Sequence, residues 1–387
     1  MEFAKRLAEI QVSPIKQMEY RASKISDVVS LAQGIPSFDT PEVIKDNVKA
    51  AMDADLVARY SLPQGLPELR DMISQKLAQD HMFYDSETEI IVTCGAIEAL
   101  SATFQSILNH GDEVVLVSPS YASYPELIKV AGGKPIFADL VENEGWRLDV
   151  TAIEKKISRK TKALLICNPN NPTGTIFTKQ DLTSIAELAL QNGLFLVLDE
   201  VYKDFVYGEE PFYFLAQEKK YRQNIIRIFS LSKSYAMTGW RIAYLHSAAE
   251  NIVEILKVHD SLVTCAPVVS QYGAYTALQR GDGAVKEFTQ VYNRRRNLMC
   301  HRLDKMEKYL TYQTPGASYF ILPKVLVRQG SDSWKFCINL LEQAKVALVP
   351  GVAFGPSGEG HVRISFGRSD DDINLAFDRM EKFFEYL

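Results

Sequence analysis

The amino-acid sequence predicts an α/β protein with a parallel sheet and a second, smaller α+β part. Short, continuously apolar runs recur along the middle of the chain, separated by stretches with the helical spacing of apolar residues. Runs of this kind are typical of parallel strands that helices cover on both faces. The final hundred residues instead combine long helices with separated short strands. A chain of 387 residues is long enough for two such parts.

The runs that we predict as strands lie between about residues 85 and 245. They are EIIVTC (89–94), DEVVLVSP (112–119), TKALLICNP (161–169), GLFLVLDE (193–200) and NIIRIFSLS (224–232). In an open α/β sheet, ligands bind beside the loops that follow the carboxyl ends of the strands. We therefore expect functional side chains directly after these runs.

The C-terminal part is predicted to contain a charged helix at about 285–309 and short strands at SYFILP and HVRISFG. The segment DDDINLAFDRMEKFFEYL has apolar residues at helical spacing and is predicted as the closing helix. We expect the N-terminal segment to pack with this part. The predicted division is a large domain of residues 40–280 and a small domain formed by residues 1–39 and 281–387.

Composition and charge exclude several classes of function. The net charge is 43 − 48 = −5, which argues against a nucleic-acid partner. No apolar run approaches the length of a membrane helix, so no membrane partner is expected. The N-terminal stretch MEFAKRLAEIQ has the composition of a mixed-charge helix and lacks an apolar signal region, which predicts a cytoplasmic protein. Five widely spaced cysteines and six histidines show no metal-ligand spacing, so we expect no metal.

The strand GLFLVLDE ends in an acid, Asp199, with Tyr202 three positions later. An acid at the carboxyl end of a central strand points into the ligand crevice of such a sheet. The alternative is an acid that caps the next helix, since aspartate is a favoured N-cap residue. The pattern D-x-x-Y alone leaves both interpretations open.

The segment SLSKSYAMTGWR places Ser230 and Ser232 beside Lys233, with Arg241 eight residues beyond the lysine. Hydroxyl groups and a guanidinium are suitable ligands for a phosphate dianion. The lysine amine between them could form an imine with an aldehyde. The alternative for S-x-S-K on its own is a solvated lysine in an exposed loop.

Two further strand ends carry polar groups toward the same edge. The loop CNPNNPTG (167–174) follows a strand and offers the amide of Asn171, or is simply a connecting turn. The junction TCGAIEAL (93–100) has small residues at a predicted helix N-terminus. Free backbone N–H groups there would bind an anion, and the alternative is a tight strand-to-helix turn.

Combined, these motifs resemble one family. The chain is similar to the fold type I aminotransferases of class I/II that use pyridoxal 5′-phosphate, the group that includes the aspartate aminotransferases. The resemblance rests on N-P-T-G, D-x-x-Y, S-x-S-K followed by an arginine, and a late R-I-S-F, between about Leu31 and Phe366. It implies a large domain with a mainly parallel seven-stranded sheet between helices, and a smaller α+β domain.

The resemblance assigns roles around the cofactor ring. Lys233 would bind pyridoxal phosphate covalently and then move the α-proton of the substrate as the catalytic base. Asp199 would pair with the ring nitrogen, and Tyr202 and Asn171 would hydrogen-bond the phenolic oxygen. Tyr121, in SPSYASYP, matches the aromatic residue that stacks on the ring.

The resemblance also implies a phosphate site and a homodimer. The residues that it assigns to the phosphate are Gly95, Ala96, Ile97, Ser230, Ser232 and Arg241. Tyr60, in RYSLPQG, matches a tyrosine that reaches the phosphate of the neighbouring subunit. The active unit would then be a homodimer with shared active sites.

For the substrate, the resemblance makes Arg363 the residue that binds the α-carboxylate. Gly34 matches a turn that lets backbone approach this carboxylate, Asn171 also contacts substrate, and Ile15 belongs to a lid over the site. The stretch from Gly34 reads G-I-P-S-F, where many relatives carry acids. Arg147 and Arg280 are candidates for a second carboxylate, although both also fit as solvated surface charges.

The resemblance thus predicts a transaminase that works by a ping-pong cycle with amino acids and 2-oxo acids as substrates. The donor is expected to be aspartate, an aromatic or another L-amino acid, and the acceptor 2-oxoglutarate. A carbon–sulfur β-lyase with the same fold and cofactor is the first alternative, because fold does not fix reaction type. A non-catalytic sensor domain is the second, but the chain leaves no room for an attached DNA-binding module.

Overall fold

The structure is a computed structural model that describes residues 2–386. Within this range the strands are β1 (Val29–Ser30), β2 (Ile90–Thr93), β3 (Glu113–Ser118), β4 (Lys134–Asp139), β5 (Thr161–Cys167), β6 (Phe195–Asp199), β7 (Ile225–Ser230), β8 (Ala243–His246), β9 (Leu310–Thr311), β10 (Phe320–Ile321), β11 (Lys324–Val325), β12 (Val346–Ala347), β13 (Val349–Pro350) and β14 (Val362–Ser365). The helices are α1 (Pro14–Ala22), α2 (Glu42–Asp53), α3 (Pro67–Gln79), α4 (Ala96–Ile107), α5 (Tyr124–Val130), α6 (Val150–Glu154), α7 (Lys179–Gln191), α8 (Leu231–Ser234), α9 (Ala249–Val263), α10 (Val268–Arg280), α11 (Asp282–Asp304), α12 (Ser333–Ala344) and α13 (Asp370–Glu385).

Seven strands form the central sheet in the order β2-β8-β7-β6-β5-β3-β4. The five strands from β7 to β4 in this order are parallel, while β8 is antiparallel to both of its neighbours. The prediction of a mainly parallel seven-stranded sheet between helices is therefore confirmed. The strand that runs against the others is β8, which follows β7 after a connection of residues 231–242 that contains the helix α8.

All five predicted strands of the sheet are present, and two more were not predicted. The strand β4 is an edge strand whose residues are mostly only half-buried, so its sequence KPIFAD lacks a continuous apolar run. The strand β8 is only four residues long, although all four are buried. Neither strand therefore has the long, continuously apolar run that indicates a buried strand in a sequence.

The two faces of the sheet bury separate apolar clusters. Along β5, Leu164 and Ile166 belong to one cluster, while Ala163, Leu165 and Cys167 belong to the other. This alternation follows from the two-residue period of a strand. Helices cover both faces, so the strands are buried almost entirely and read as continuous apolar runs.

A third apolar cluster joins the N-terminal segment to the C-terminal part. Met18 and Leu31 are fully buried in it together with residues such as Tyr292 and Phe377. The strand β1 also pairs in parallel with β12. This packing places the N-terminal segment beside the carboxyl ends of the central strands.

Two predicted elements differ in their bounds. The helix predicted at 285–309 is α11, which begins at Asp282, an acid that suits the first turn, and ends at Asp304. The helical N-terminus is only a 3₁₀-helix over Lys5–Glu9 with no buried residue, so packing stabilises nothing longer, and Met1 lies outside the described residues. The short strands β10 and β14 and the closing helix α13 are present as predicted.

No helix in the described part of the chain, residues 2–386, is long and apolar enough to cross a membrane.

Candidate active site

A cavity of about 610 Å³ opens at the carboxyl ends of the central strands. The last residues of β5, β6 and β7 (Cys167, Asp199 and Ser230) line it directly. Other walls come from α1, the start of α4, α5 and β14. The cavity therefore lies where the strand pattern predicts a ligand site.

Lys233 lies in the short helix α8, which begins directly after β7, and its side chain lines the cavity. Its Nζ donates a hydrogen bond of 2.6 Å to the carbonyl oxygen of Gly34. Burial, and then the charges of Arg363 and Arg241, lower the pKa of this amine to about 8. A substantial fraction of the amine is therefore neutral near physiological pH, as a nucleophile or a base requires.

Asp199 is buried at the end of β6, and each of its oxygens has a donor. The hydroxyl of Tyr124 donates to Oδ2 at 2.7 Å, and the backbone N–H of Val201 donates to Oδ1 at 3.2 Å. Burial raises the pKa of Asp199 to about 6, although both hydrogen bonds act in the opposite direction. Among residues 2–386 the carboxylate forms no ion pair, and a ligand cation would lower its pKa.

Asn171, from the loop after β5, lies between two other predicted site residues. Its Nδ2 donates to the hydroxyl of Tyr202 at 3.3 Å, and its Oδ1 accepts from Nη1 of Arg363 at 3.2 Å. The amide is buried and its orientation is fixed at both ends. One side chain thus connects the sheet edge with strand β14.

Arg363 is almost completely buried in the middle of β14. Its Nη2 donates to the carbonyl oxygen of Ala32 at 2.6 Å, and its guanidinium lies over the rings of Phe320 and Phe354 at 4.3 and 5.0 Å. Burial lowers the pKa of Arg363 to about 10. Its Nε has no hydrogen-bond partner among the described residues, so a buried donor is left for a ligand.

The start of α4 and the loop after β7 form an anion-binding corner. Gly95 caps α4 with a φ of +83° and no side chain, and a Cβ at this position would overlap the guanidinium of Arg241. Ala96, Ile97, Ser230, Ser232 and Arg241 all line the cavity here. A helix N-terminus beside a guanidinium and hydroxyl groups suits a phosphate. Gly95 itself supports the corner without lining it.

The remaining predicted residues differ in where they lie. Tyr121 and Ile15 line the cavity, and Tyr121 packs edge-on against Tyr124 with ring centroids 5.3 Å apart. Gly34 also lines it, and a Cβ there would come within 2.9 Å of the Phe320 ring. Tyr60 is 84% exposed and does not line the cavity of its own chain.

The two candidate arginines for a second carboxylate also lie outside the cavity. Arg147 is exposed and forms an ion pair of 2.5 Å with Glu144. Arg280 is exposed at the end of α10. The structure therefore brings neither of them to the site of this chain.

Several lining residues were not predicted as site residues. Tyr124, the hydrogen-bond partner of Asp199, is one of them. Cys167, Lys16 and Glu19 line the cavity as well. Tyr124 lies three positions after the predicted stacking residue Tyr121, in the same segment SPSYASYP, and this proximity is the signal that could have indicated it.

Two of the six histidines form hydrogen bonds with acids. His259 and His361 are buried and hydrogen-bond to Glu98 and Glu142 at 3.0 and 3.1 Å. Across residues 2–386, no group of three or more His, Cys, Asp or Glu side chains could hold a metal ion.

The chain is similar to known proteins over almost its whole length. The family model described as "Aminotransferase class I and II" matches residues 26–380. An aspartate aminotransferase of Pyrococcus abyssi is 37% identical over 99% of this chain and 98% of its own length. An aromatic-amino-acid aminotransferase of Thermococcus litoralis shows the same identity and the same coverage. The structure of an aspartate aminotransferase from Thermus thermophilus with maleate superposes with a TM-score of 0.92 at 31% identity, over 99% of both chains.

Proposed function

The chain belongs to the family of class I and II aminotransferases, and on this premise we propose how it works as a transaminase. Its cofactor is pyridoxal 5′-phosphate, and it moves amino groups between amino acids and 2-oxo acids. The observation that carries this proposal is that Lys233, Asp199 and Arg363 line one cavity. An amine of lowered pKa, a buried carboxyl and a buried guanidinium are the groups that this chemistry requires.

The residues present fit this cofactor. The corner at α4 leaves no room for a side chain at Gly95, because a Cβ would overlap Arg241, and this keeps the backbone open to a phosphate. Asp199 is a buried acid without a contacting cation, which suits a protonated ring nitrogen. Tyr202 and Asn171 supply polar atoms between these two positions.

When bound, pyridoxal phosphate supplies an aldehyde that condenses with amines and a ring that accepts the electron pair left at the α-carbon of the substrate. Lys233 would hold the cofactor through its amine. When this amine is free, its lowered pKa lets it take the α-proton of the substrate and return it. The negative charge of Asp199 favours the protonated form of the ring nitrogen.

Arg363 binds the α-carboxylate in this proposal. Its guanidinium is held by Ala32 and Asn171, so it is oriented before the substrate arrives. The unpartnered Nε and the buried surroundings make a carboxylate contact strong there. Closure of the α1 segment, which carries Ile15, over the cavity would exclude water from the reacting atoms.

We propose a homodimer with shared active sites in which Tyr60 reaches the partner subunit. The support is that Tyr60 is exposed and lies outside its own cavity. A reducing, cytoplasmic location also stays a proposal, in keeping with the five free cysteines.

The test is an absorption spectrum of the purified protein with pyridoxal phosphate, titrated with single amino acids. We expect the cofactor band near the visible edge to bleach with suitable donors and to return when 2-oxoglutarate is added. The variant Lys233→Ala should lose this repeated cycle, because its covalent attachment and its base are gone.

Two results would contradict the proposal. Release of pyruvate and ammonia without an acceptor would indicate the β-lyase instead. If no band forms with added cofactor, the assignment of the site is wrong.

A further inference from the structure

Four cationic side chains of this chain line the active-site cavity, and three of them have roles in the proposed function. Lys233 and Arg363 serve the reacting centre, and Arg241 lies at the anion-binding corner. The fourth is Lys16, the third residue of α1. Among residues 2–386 its only ion pair is with Glu19 on the same helix, at 2.8 Å.

The cavity wall on this side has an apolar part formed by side chains of α1, α4 and α5, beside polar side chains such as Gln11, Ser13 and Glu126. The apolar side chains are Ile15, Ile97, Leu100, Leu127 and Val130. A donor with an apolar or aromatic side chain would bury that side chain against this wall. A dicarboxylic acid would meet no cation there except Lys16.

The pair of Lys16 and Glu19 is easy to separate. The Lys16 side chain is 67% exposed, and exposed ion pairs between residues three apart on a helix contribute little stability. The other nearby acid, Glu126, does not compete for Lys16, because Lys129 and the backbone N–H of Gln11 occupy its oxygens, both at 3.0 Å. Lys16 can therefore turn toward a ligand, and the Glu19 carboxylate that it leaves keeps partial contact with solvent, because 17% of that side chain is exposed.

The charges of this pair also reach the reacting centre. Glu19 lies close enough to raise the pKa of Arg363, against the larger lowering effect of burial. Lys16 contributes to the lowered pKa of Lys233, after burial and the two arginines. Both side chains therefore lie within electrostatic range of a substrate bound to Arg363.

We propose that Lys16 determines side-chain specificity by binding the distal carboxylate of a dicarboxylic 2-oxo acid and returning to Glu19 when the substrate side chain is apolar. One cavity then accepts an apolar or aromatic amino donor and an acidic acceptor in the two halves of the cycle. The proposal rests on the transaminase function given above and names the substrate classes of that site.

The test measures binding rather than turnover. Isothermal titration of the enzyme loaded with pyridoxal phosphate compares glutarate, which has two carboxylates, with 3-phenylpropionate, which has one. For Lys16→Met we expect the affinity for glutarate to fall about 10- to 100-fold, as for the loss of one charge-assisted contact. The affinity for 3-phenylpropionate should change less than about threefold, because the methionine keeps the apolar stem of the lysine.

Two further variants sharpen the comparison. Glu19→Gln removes the competing acid and should raise the affinity for glutarate by about two- to fivefold. Lys24→Met is the matched control, because Lys24 follows the same helix but lies over the Tyr20 ring at 4.0 Å and does not line the cavity. Neither affinity should change in that variant.

The possible failures are separable. If Lys16→Met weakens both ligands equally, or weakens neither, the proposal for Lys16 is wrong while the transaminase function stands. Wild-type enzyme that binds no glutarate would overturn it as well. A wild-type protein that transfers no amino group from phenylalanine, aspartate or any other tested donor would instead contradict the proposed function.

Discussion

At Asp199, burial works against the stability of the protein without cofactor. The pKa of this carboxyl is about 6 in the folded chain, against an ordinary value of 3.8. The unfolded chain therefore loses this proton at lower pH than the folded chain does. The contribution of this group to the free energy of unfolding is therefore fully present below pH 3.8 and is lost as the pH rises through 6. The shift from 3.8 to about 6 corresponds to a loss of about 3 kcal/mol. The proposed ring nitrogen would offset this cost when the cofactor is bound.

We therefore predict that Asp199→Asn stabilises the cofactor-free protein at pH 8 by about 1–2 kcal/mol. The gain is smaller than the full electrostatic cost, because the amide oxygen must serve both Tyr124 and Val201. Urea unfolding of both proteins at pH 8 and pH 4 measures it, and the difference should shrink at pH 4. A variant that is less stable than wild type at pH 8 would contradict this account of Asp199.

The pKa of Lys233 is shifted in the opposite direction from that of Asp199, and this shift gives a second prediction. Its pKa is lowered to about 8, and only the neutral amine attacks an aldehyde. The rate at which the cofactor-free protein attaches pyridoxal phosphate should rise with pH and level off above about pH 8. Absorbance after rapid mixing measures this rate. A rate that keeps rising through pH 10 would indicate an unshifted amine.

The sequence was informative about these residues, and less so about their neighbours. Asp199, Lys233 and Arg363 belong to motifs in which the residue type itself carries the chemistry. Tyr124 contacts Asp199 across 75 positions in the chain, and this contact depends on how α5 packs against β6. Lys16 is an ordinary helix lysine until the fold brings α1 to the cavity. Contacts that depend on packing between elements leave no local pattern in the sequence.

At the scale of elements, the long buried strands were predictable and the short or half-exposed ones were not. Each predicted strand is a run that the sheet buries on both faces, as in β5 and β6. The edge strand β4 carries a mixed pattern because solvent reaches it. The bounds of α11 were also missed by several residues, because its polar surface gives no clear apolar limit.

The start of α4 carries a prediction of its own. We expect Gly95→Ala to weaken the binding of pyridoxal phosphate at least about tenfold, because the new Cβ would displace the Arg241 guanidinium. The alanine would also have to adopt the φ of +83° that Gly95 has. Equilibrium dialysis of the cofactor measures the effect. The matched control is Gly111→Ala, where φ is +85° but no atom lies within 4 Å of the new Cβ. Both variants should lose similar stability, and only the first should lose cofactor affinity.

At the scale of the whole molecule, the division into residues 40–280 and the two terminal segments stays a prediction. The N-terminal segment and the C-terminal part share one apolar cluster, which also includes Val201, Tyr202 and Phe205 of the predicted large domain. We propose this division as the basis of closure over the cavity. Arg363 would then approach the substrate from the small domain while Lys233 and Asp199 stay with the sheet.

The surface around Tyr60 supports an assembly of two chains. Several apolar residues close to Tyr60 in the sequence are at least half exposed, namely Met52, Leu56 and Leu62. Tyr60 itself is also exposed. A cluster of exposed apolar side chains is typical of an interface. If a second copy covers this surface by two-fold symmetry, each Tyr60 can reach the other cavity.

Mixing two inactive variants tests this arrangement. Tyr60→Ala loses a phosphate contact, and Lys233→Ala loses the reactive amine. In a mixed dimer with shared sites, the Lys233 of one chain and the Tyr60 of the other complete one intact site. Random pairing of equal amounts should therefore restore about a quarter of wild-type activity after unfolding and refolding together. If Tyr60 serves its own chain, no intact site can form, and the mixture should show only the mean of the two variants.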